Sequence, residues 1–173
     1  VRLHEVALTA DICKMYRQIL VKPEHQNYQR ILWRFNPSSP MLDFRLRTVT
    51  YGVSSAPYLA LRSLMQLAEE EKAIISRASE VLTNDTYVDD IVSGSSTVED
   101  AISLQGELTN LLKQGGFQPH KWATNKPEVL SHLPPELINP AVLSLDNDEI
   151  AKVLGLCWQP SSDSFTYKFM PFE

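Results

Sequence analysis

Asp89 and Asp90 stand side by side in TNDTYVDDIVSG, residues 83–94, between short β-branched and aromatic runs. Adjacent carboxylates raise each other's pKa unless a cation neutralises them, so an acid pair pressed against a sheet is costly by itself. A divalent ion removes the conflict, because Mg²⁺ takes oxygen ligands and commonly binds through one or two carboxylates plus substrate phosphates. Successive strand residues point to opposite faces, so the two aspartates converge on one site only where the backbone turns, as at a hairpin tip. A third acid at the end of a neighbouring strand would complete a site for two metals about 3.5–4 Å apart, which clamp the attacking and leaving oxygens of phosphoryl transfer. Asp11 is the candidate. The plainer alternative for an Asp-Asp pair is a polar turn.

The elements that must position these acids follow from periodicity. Residues 5–12, EVALTADI, are mostly apolar and read as a buried strand ending at Asp11. YQRILWRF and LDFRLRTVTYG flank the turn cluster NPSSP and read as a hairpin, with Leu42, Phe44 and Leu46 alternating against Asp43, Arg45 and Arg47. From Ser55 the spacing of Leu61, Leu64, Met65 and Ala68 predicts a helix to about Ala78, with Ser54 or Ser55 as its N-cap. Residues 83–94 read as a second hairpin with the acids near its tip. Ser96-x-x-Glu99 is a possible capping box before a helix carrying Ala101, Leu104, Leu108, Leu111 and Leu112 on one face, and Gly115-Gly116 stops it. A short run to Trp122, an irregular Pro-rich stretch and a final hairpin over residues 150–170 complete the chain. Strands and helices alternate without βαβ regularity, so the expectation is an α+β domain spanning residues 1–173, an antiparallel sheet with two main helices on one face plus a C-terminal hairpin.

Composition narrows the function classes. At 43% hydrophobic and 21% charged, the chain has the make-up of a domain with a real core. It contains no apolar run long enough for a membrane span and no signal-peptide pattern, so the expected setting is cytoplasmic, without membrane partners. Cys13 and Cys157 lie far apart and the four histidines are scattered, which supports neither a disulfide framework nor a zinc site. The net charge of −5 hides an asymmetry: residues 1–50 hold eight Lys/Arg against four Asp/Glu, while the rest holds eight against seventeen. A local basic face can meet phosphates even on an acidic chain; ordinary solvated arginines are the alternative.

Five segments together resemble the polymerase motifs of long terminal repeat retrotransposon reverse transcriptases. DICKMYRQI, from Asp11, resembles the first motif; TYGVSSAP, residues 50–57, the second; YVDD, residues 87–90, the third. LLKQGGFQPHKWATN resembles the helix, Gly-rich turn and basic strand of the fourth, and KVLGLCW the hairpin that grips the primer end. GGFQPHKWATN with LGLCW is most similar to the BEL/Pao branch. The resemblance runs from about residue 5 to 170, in order and at workable spacings.

The resemblance implies a polymerase palm that transfers deoxynucleotides to a primer 3′-hydroxyl, directed by an RNA or DNA template, with pyrophosphate leaving. It implies two Mg²⁺ or Mn²⁺ ions held by Asp11, Asp89 and Asp90, with the Ile12 carbonyl as a further ligand. Tyr16 matches the aromatic beneath the incoming sugar, and a core tyrosine is its alternative. Gly52, beside Tyr51, matches a close backbone approach to nucleotide or template, against an ordinary turn glycine. Lys121 matches the basic position that donates a proton to pyrophosphate, against a solvated lysine. Arg17, Gln18 and Tyr87 match template or primer contacts, as do Leu154, Gly155 and Leu156 in the primer grip, while Trp158 is equally a core candidate. The implied partners are primer-template, deoxynucleoside triphosphates and the other polyprotein domains (fingers, thumb, RNase H, integrase and protease), in a virus-like particle.

The chain departs from the family by lacking the fingers residues that precede Asp11, a thumb and an RNase H region. With no initiator Met and an opening in mid-pattern, it is expected to be a piece of a longer polyprotein, inactive or nearly so by itself. Two rival readings stay open: a non-catalytic remnant of a mobile element, and another two-metal palm nucleotidyltransferase such as an RNA-templated RNA polymerase or a nucleotide cyclase.

Overall fold

A computed structural model describes residues 3–143, 151–153, 156–162 and 164–166. The backbone divides into two compact units, one of Val1–Cys13 with Leu64–Glu173 and one of Lys14–Ser63.

The first unit is built on a four-stranded antiparallel sheet. Its strands are β1 (Val6–Ile12), β4 (Thr86–Tyr87), β5 (Asp90–Ser95) and β6 (Pro119–Thr124), in the order β4-β5-β1-β6. β1 is central and buried along almost its whole length, which its run of Val, Ala and Leu requires. Two helices, α3 (Ser76–Asn84) and α4 (Val98–Gln114), pack against each other and against β5, and α4 also covers β1. Ser93 donates from its hydroxyl to Asp85, just past α3, at 2.7 Å, which marks the Ile91/Ser93 side of β5 as the helix side. On the other face Ala7 and Ala123 pack with the fully buried Trp158, with Val92 and Val142 alongside. Trp158 is thus a core residue. It belongs to a small antiparallel sheet of β7 (Ala151–Val153), β8 (Leu156–Gln159) and β9 (Ser164–Thr166). The expected C-terminal hairpin is present as β8–β9, and β7 pairs antiparallel with β8 ahead of it. Residues 154 and 155, the Leu154 and Gly155 of the expected primer grip, lie outside the described residues, and Leu156 pairs through its backbone with Val153.

The helices follow the expected faces with two differences in their ends. The predicted helix to Ala78 is two helices, α2 (Ala56–Glu71) and α3. The break falls at Ile74-Ile75, two β-branched residues that lose rotamer freedom in a helix, and Ile75 sits at φ −125°, ψ 64°, outside helical geometry. Consequently α3 and α4 cover the sheet, while α2 brings Leu67 against Gly115 at the end of α4. The N-cap of α4 is Thr97, whose side chain accepts from the Asp100 amide at 3.2 Å, one residue later than the predicted Ser96 box. Ala101, Leu104, Leu108, Leu111 and Leu112 are buried on one face as their spacing requires. Gly116 takes the left-handed φ of 77°, and its amide and that of Phe117 return to the carbonyls of Lys113 and Leu112, closing the helix end.

The second unit holds the predicted hairpin, β2 (Arg30–Trp33) paired antiparallel with β3 (Leu42–Arg45). The expected apolar face is not buried: all of β2 is exposed, and on β3 only Phe44 is partly covered. A four-residue helix α1 (Met15–Gln18) precedes it, and the Leu20–Thr48 bridge with hydrogen bonds from Val21 to Arg47 and from Val49 to Ile19 closes the unit. Lys14–Ser63 contains eight Lys/Arg and two Asp/Glu, a net of +6, so the basic excess of the N-terminal sequence is concentrated in this unit. Cys13 and Cys157 are not joined in a disulfide. Among the described residues no helix is long and apolar enough to cross a membrane.

A Cβ at Gly94 of β5 would lie 2.3 Å from the Val6 carbonyl oxygen and 2.8 Å from His4 Cβ. Gly94→Ala is therefore expected to destabilise the fold by about 1–3 kcal/mol. Gly106→Ala, within α4 where a Cβ meets nothing within 4 Å, is expected to stabilise it by about 0.5–1 kcal/mol. Urea unfolding of the two variants checks both signs.

Candidate active site

The antiparallel register of β1 against β5 runs Val6↔Ser95 to Asp11↔Asp90, so these two acids are direct cross-strand partners at the end of the ladder. Directly opposed residues share a face with Cβ atoms about 4.5–5.5 Å apart, and like charges there are destabilising. Asp89 is contributed by the turn. β4 and β5 are joined through Tyr87↔Asp90, leaving Val88 and Asp89 as a two-residue loop, and the Ile12 amide donates to the Asp89 carbonyl at 2.8 Å. That bond ties the tip of the acidic hairpin to the end of β1. Val88 holds φ 57°, a left-handed value that costs a β-branched residue on the order of 1–3 kcal/mol and that a tight hairpin of this hand demands.

The fourth strand supplies the cations. Between Thr9↔Ala123 and Asp11↔His120 the β1–β6 register shifts by one, so Lys121 and Trp122 together oppose Ala10 in a β-bulge. Lys121 takes φ 52° within it. The extra residue lets both His120 and Lys121 reach Asp11. Lys121 Nζ lies 3.0 Å from Asp11 Oδ2, and His120 Nδ1 lies 3.6 Å from Oδ1 and 3.0 Å from the Asp11 carbonyl oxygen. The Asp11 and His120 side chains are about one-quarter exposed and that of Lys121 about half. Burial raises the Asp90 carboxyl above its ordinary value of 3.8, the charges of Asp89 and Asp11 raise it further, and Lys121 pulls it down.

Asp11, Asp89, Asp90 and Lys121 thus meet in one corner of the first unit. Among the described residues no three His, Cys, Asp or Glu side chains are spaced to hold a metal ion together; both oxygens of Asp11 face nitrogen atoms instead. Ile12 has no exposed surface, so its carbonyl is closed to a ligand in this conformation. Tyr87 is largely exposed at the hairpin. His120 has no forewarning in the sequence, since its role depends on which residue of β6 falls opposite Asp11. The remaining predicted residues lie in the second unit. There the Tyr16 ring is buried and sits 4.5 Å from the half-exposed ring of Tyr51, the two planes tilted at 59°. Arg17 is exposed, Gln18 is partly covered, and Gly52 takes φ 86°, a left-handed value that glycine adopts without penalty.

The chain matches no protein-family model and no curated protein.

Because the folded pKa of Asp90 is raised, the folded state favours its protonated form. Its ionisation therefore opposes folding: the favourable contribution is complete below 3.8 and is lost as pH rises through the folded value. Asp90→Asn is expected to stabilise the protein at pH 7, with the gain vanishing as pH falls toward 3.8. Urea midpoints of both proteins across that range are the check; a gain independent of pH would contradict it.

Proposed function

We propose that the chain is the palm of a reverse transcriptase of the long terminal repeat retrotransposon type, which adds deoxynucleotides to a primer 3′-hydroxyl under direction of an RNA or DNA template. The observation that carries this reading is the Asp11–Asp90 cross-strand pair with Asp89 at the adjoining tip. Three carboxylates of hard oxygen donors are gathered there, and burial first, then the charges of Asp89 and Asp11, raise the Asp90 carboxyl.

That donor set suits Mg²⁺ or Mn²⁺, and Asp11, Asp89 and Asp90 are the residues that would hold two such ions. When bound, the metal supplies charge stabilisation for the attacking and leaving oxygens. The chain's own groups do the rest. The Ile12–Asp89 hydrogen bond fixes the hairpin tip against the end of β1, which keeps Asp89 next to the Asp11–Asp90 pair. Lys121 presents an ammonium group beside them, suited to the negative charge of a triphosphate and to donating a proton to the departing pyrophosphate. Tyr16, braced by Tyr51 within its own unit, matches the aromatic that underlies the incoming sugar in the family the chain resembles. The +6 charge of the Lys14–Ser63 unit favours a polyanionic partner, and Arg17 on α1 is one of its exposed contributors.

The test is extension of oligo-dT on poly-rA by this segment within a chain continued in its reading frame on both sides. Incorporation is expected, and Asp11→Asn or Asp89→Asn is expected to lower it by roughly a thousandfold. Residues 1–173 alone are expected to give little or no product. Extension that survives both substitutions would overturn the proposal, as would its absence from the wild-type longer chain.

A further inference from the structure

We infer that Lys121 is an exchangeable counter-ion: its ammonium group neutralises Asp11 in the free protein and is displaced when a divalent cation enters, which frees it for an anionic ligand. The inference rests on the metal reading above and adds to it a coupling between cation binding and anion binding.

The geometry is specific. Lys121 Nζ is 3.0 Å from Asp11 Oδ2, closer than the 3.6 Å from His120 Nδ1 to Oδ1. Continued without a break, the Leu8↔Thr124 and Thr9↔Ala123 register would set Lys121 directly opposite Asp11; the bulge brings His120 to that position as well, and Lys121, at a left-handed φ of 52°, keeps its ammonium group on the acid. A non-glycine residue held at such a φ is sustained by its surroundings, and here the bulge places the cation where three carboxylates need one.

The same contact is easy to break. The Lys121 side chain is about half exposed, and ion pairs of that kind contribute little net stability because solvent competes for both partners. One ammonium also leaves the corner short of charge. Against Asp11, Asp89 and Asp90 it compensates a single unit, so a doubly charged ion competes for Asp11 with an electrostatic advantage. The side chain is long and flexible, so release from Asp11 leaves the ammonium near the acids and available to a phosphate. Thus a group that blocks the cation in one state supports the anion in the next.

Two measurements on residues 1–173 test this. The first is Mn²⁺ binding, followed through the paramagnetic resonance signal of free Mn²⁺, for wild type, Lys121→Met, Lys121→Gly and Asp11→Asn. Both Lys121 variants are expected to bind Mn²⁺ roughly fivefold more tightly than wild type, and Asp11→Asn more weakly. The glycine variant keeps the left-handed backbone accessible, so misfolding at the bulge cannot imitate the result. The second is acylation of the Lys121 amine in the wild-type protein, read by mass spectrometry. Mg²⁺ is expected to raise its rate several-fold, and Asp11→Asn to raise it without Mg²⁺. Equal Mn²⁺ affinity with and without the lysine, or a Lys121 reactivity indifferent to Mg²⁺, would overturn the exchange while leaving the metal reading in place. No Mn²⁺ binding by any of the four proteins would overturn both.

Discussion

The register of β1 against β5 governs most of what this structure can do. Because side chains alternate along a strand, a slip of one residue would send Asp11 to the helix-covered face and bring Ala10 or Ile12 to the acidic corner. Burial prevents the slip. Leu8, Ala10 and Ile12 are almost wholly buried with Ile91 and Ser93 on the helix side, and Ala7 and Thr9 are buried on the other, so packing on both faces holds the register. The opposition of Asp11 and Asp90 is therefore imposed by the core, and the Asp90 carboxyl is raised first by its burial and then by the charges of Asp89 and Asp11.

Two departures from regular geometry adapt this frame to charge. Val88 accepts a left-handed φ so that a two-residue loop can place Asp89 at the end of β1, and Lys121 accepts one within the bulge that brings His120 as well as a lysine to Asp11. Neither residue type favours that conformation, and each lies beside the carboxylates. Strain collected at one corner, supported by well-buried strands, is the pattern expected where a fold trades local stability for the placement of polar groups.

Charge is divided between the two units in a way the overall net of −5 conceals. The unit of Lys14–Ser63 carries +6 and the remainder −11. A basic unit and an acidic corner on one chain suit different ligands, a polyanion for the first and cations for the second.

Local chemistry in the sequence determined the elements. The run of small and β-branched residues made β1, the i, i+3, i+4 spacing of Ala101, Leu104, Leu108, Leu111 and Leu112 made α4 with its Gly115-Gly116 stop, and alternation around NPSSP made the β2–β3 hairpin. The three aspartates were legible too, because paired acids at a turn and an acid closing an apolar strand conflict with burial unless they serve a purpose. The end of α2 and the choice of Thr97 over Ser96 as cap depended on a few dihedrals that periodicity does not encode. Only the tertiary structure decided that Asp11 faces Asp90, that β6 slips by one residue, and that His120 and Lys121 thereby close on Asp11. The physical reason is that cross-strand register joins residues about 80 and 110 positions apart in the chain, and the burial of β1 between its neighbours selects it where no local propensity can.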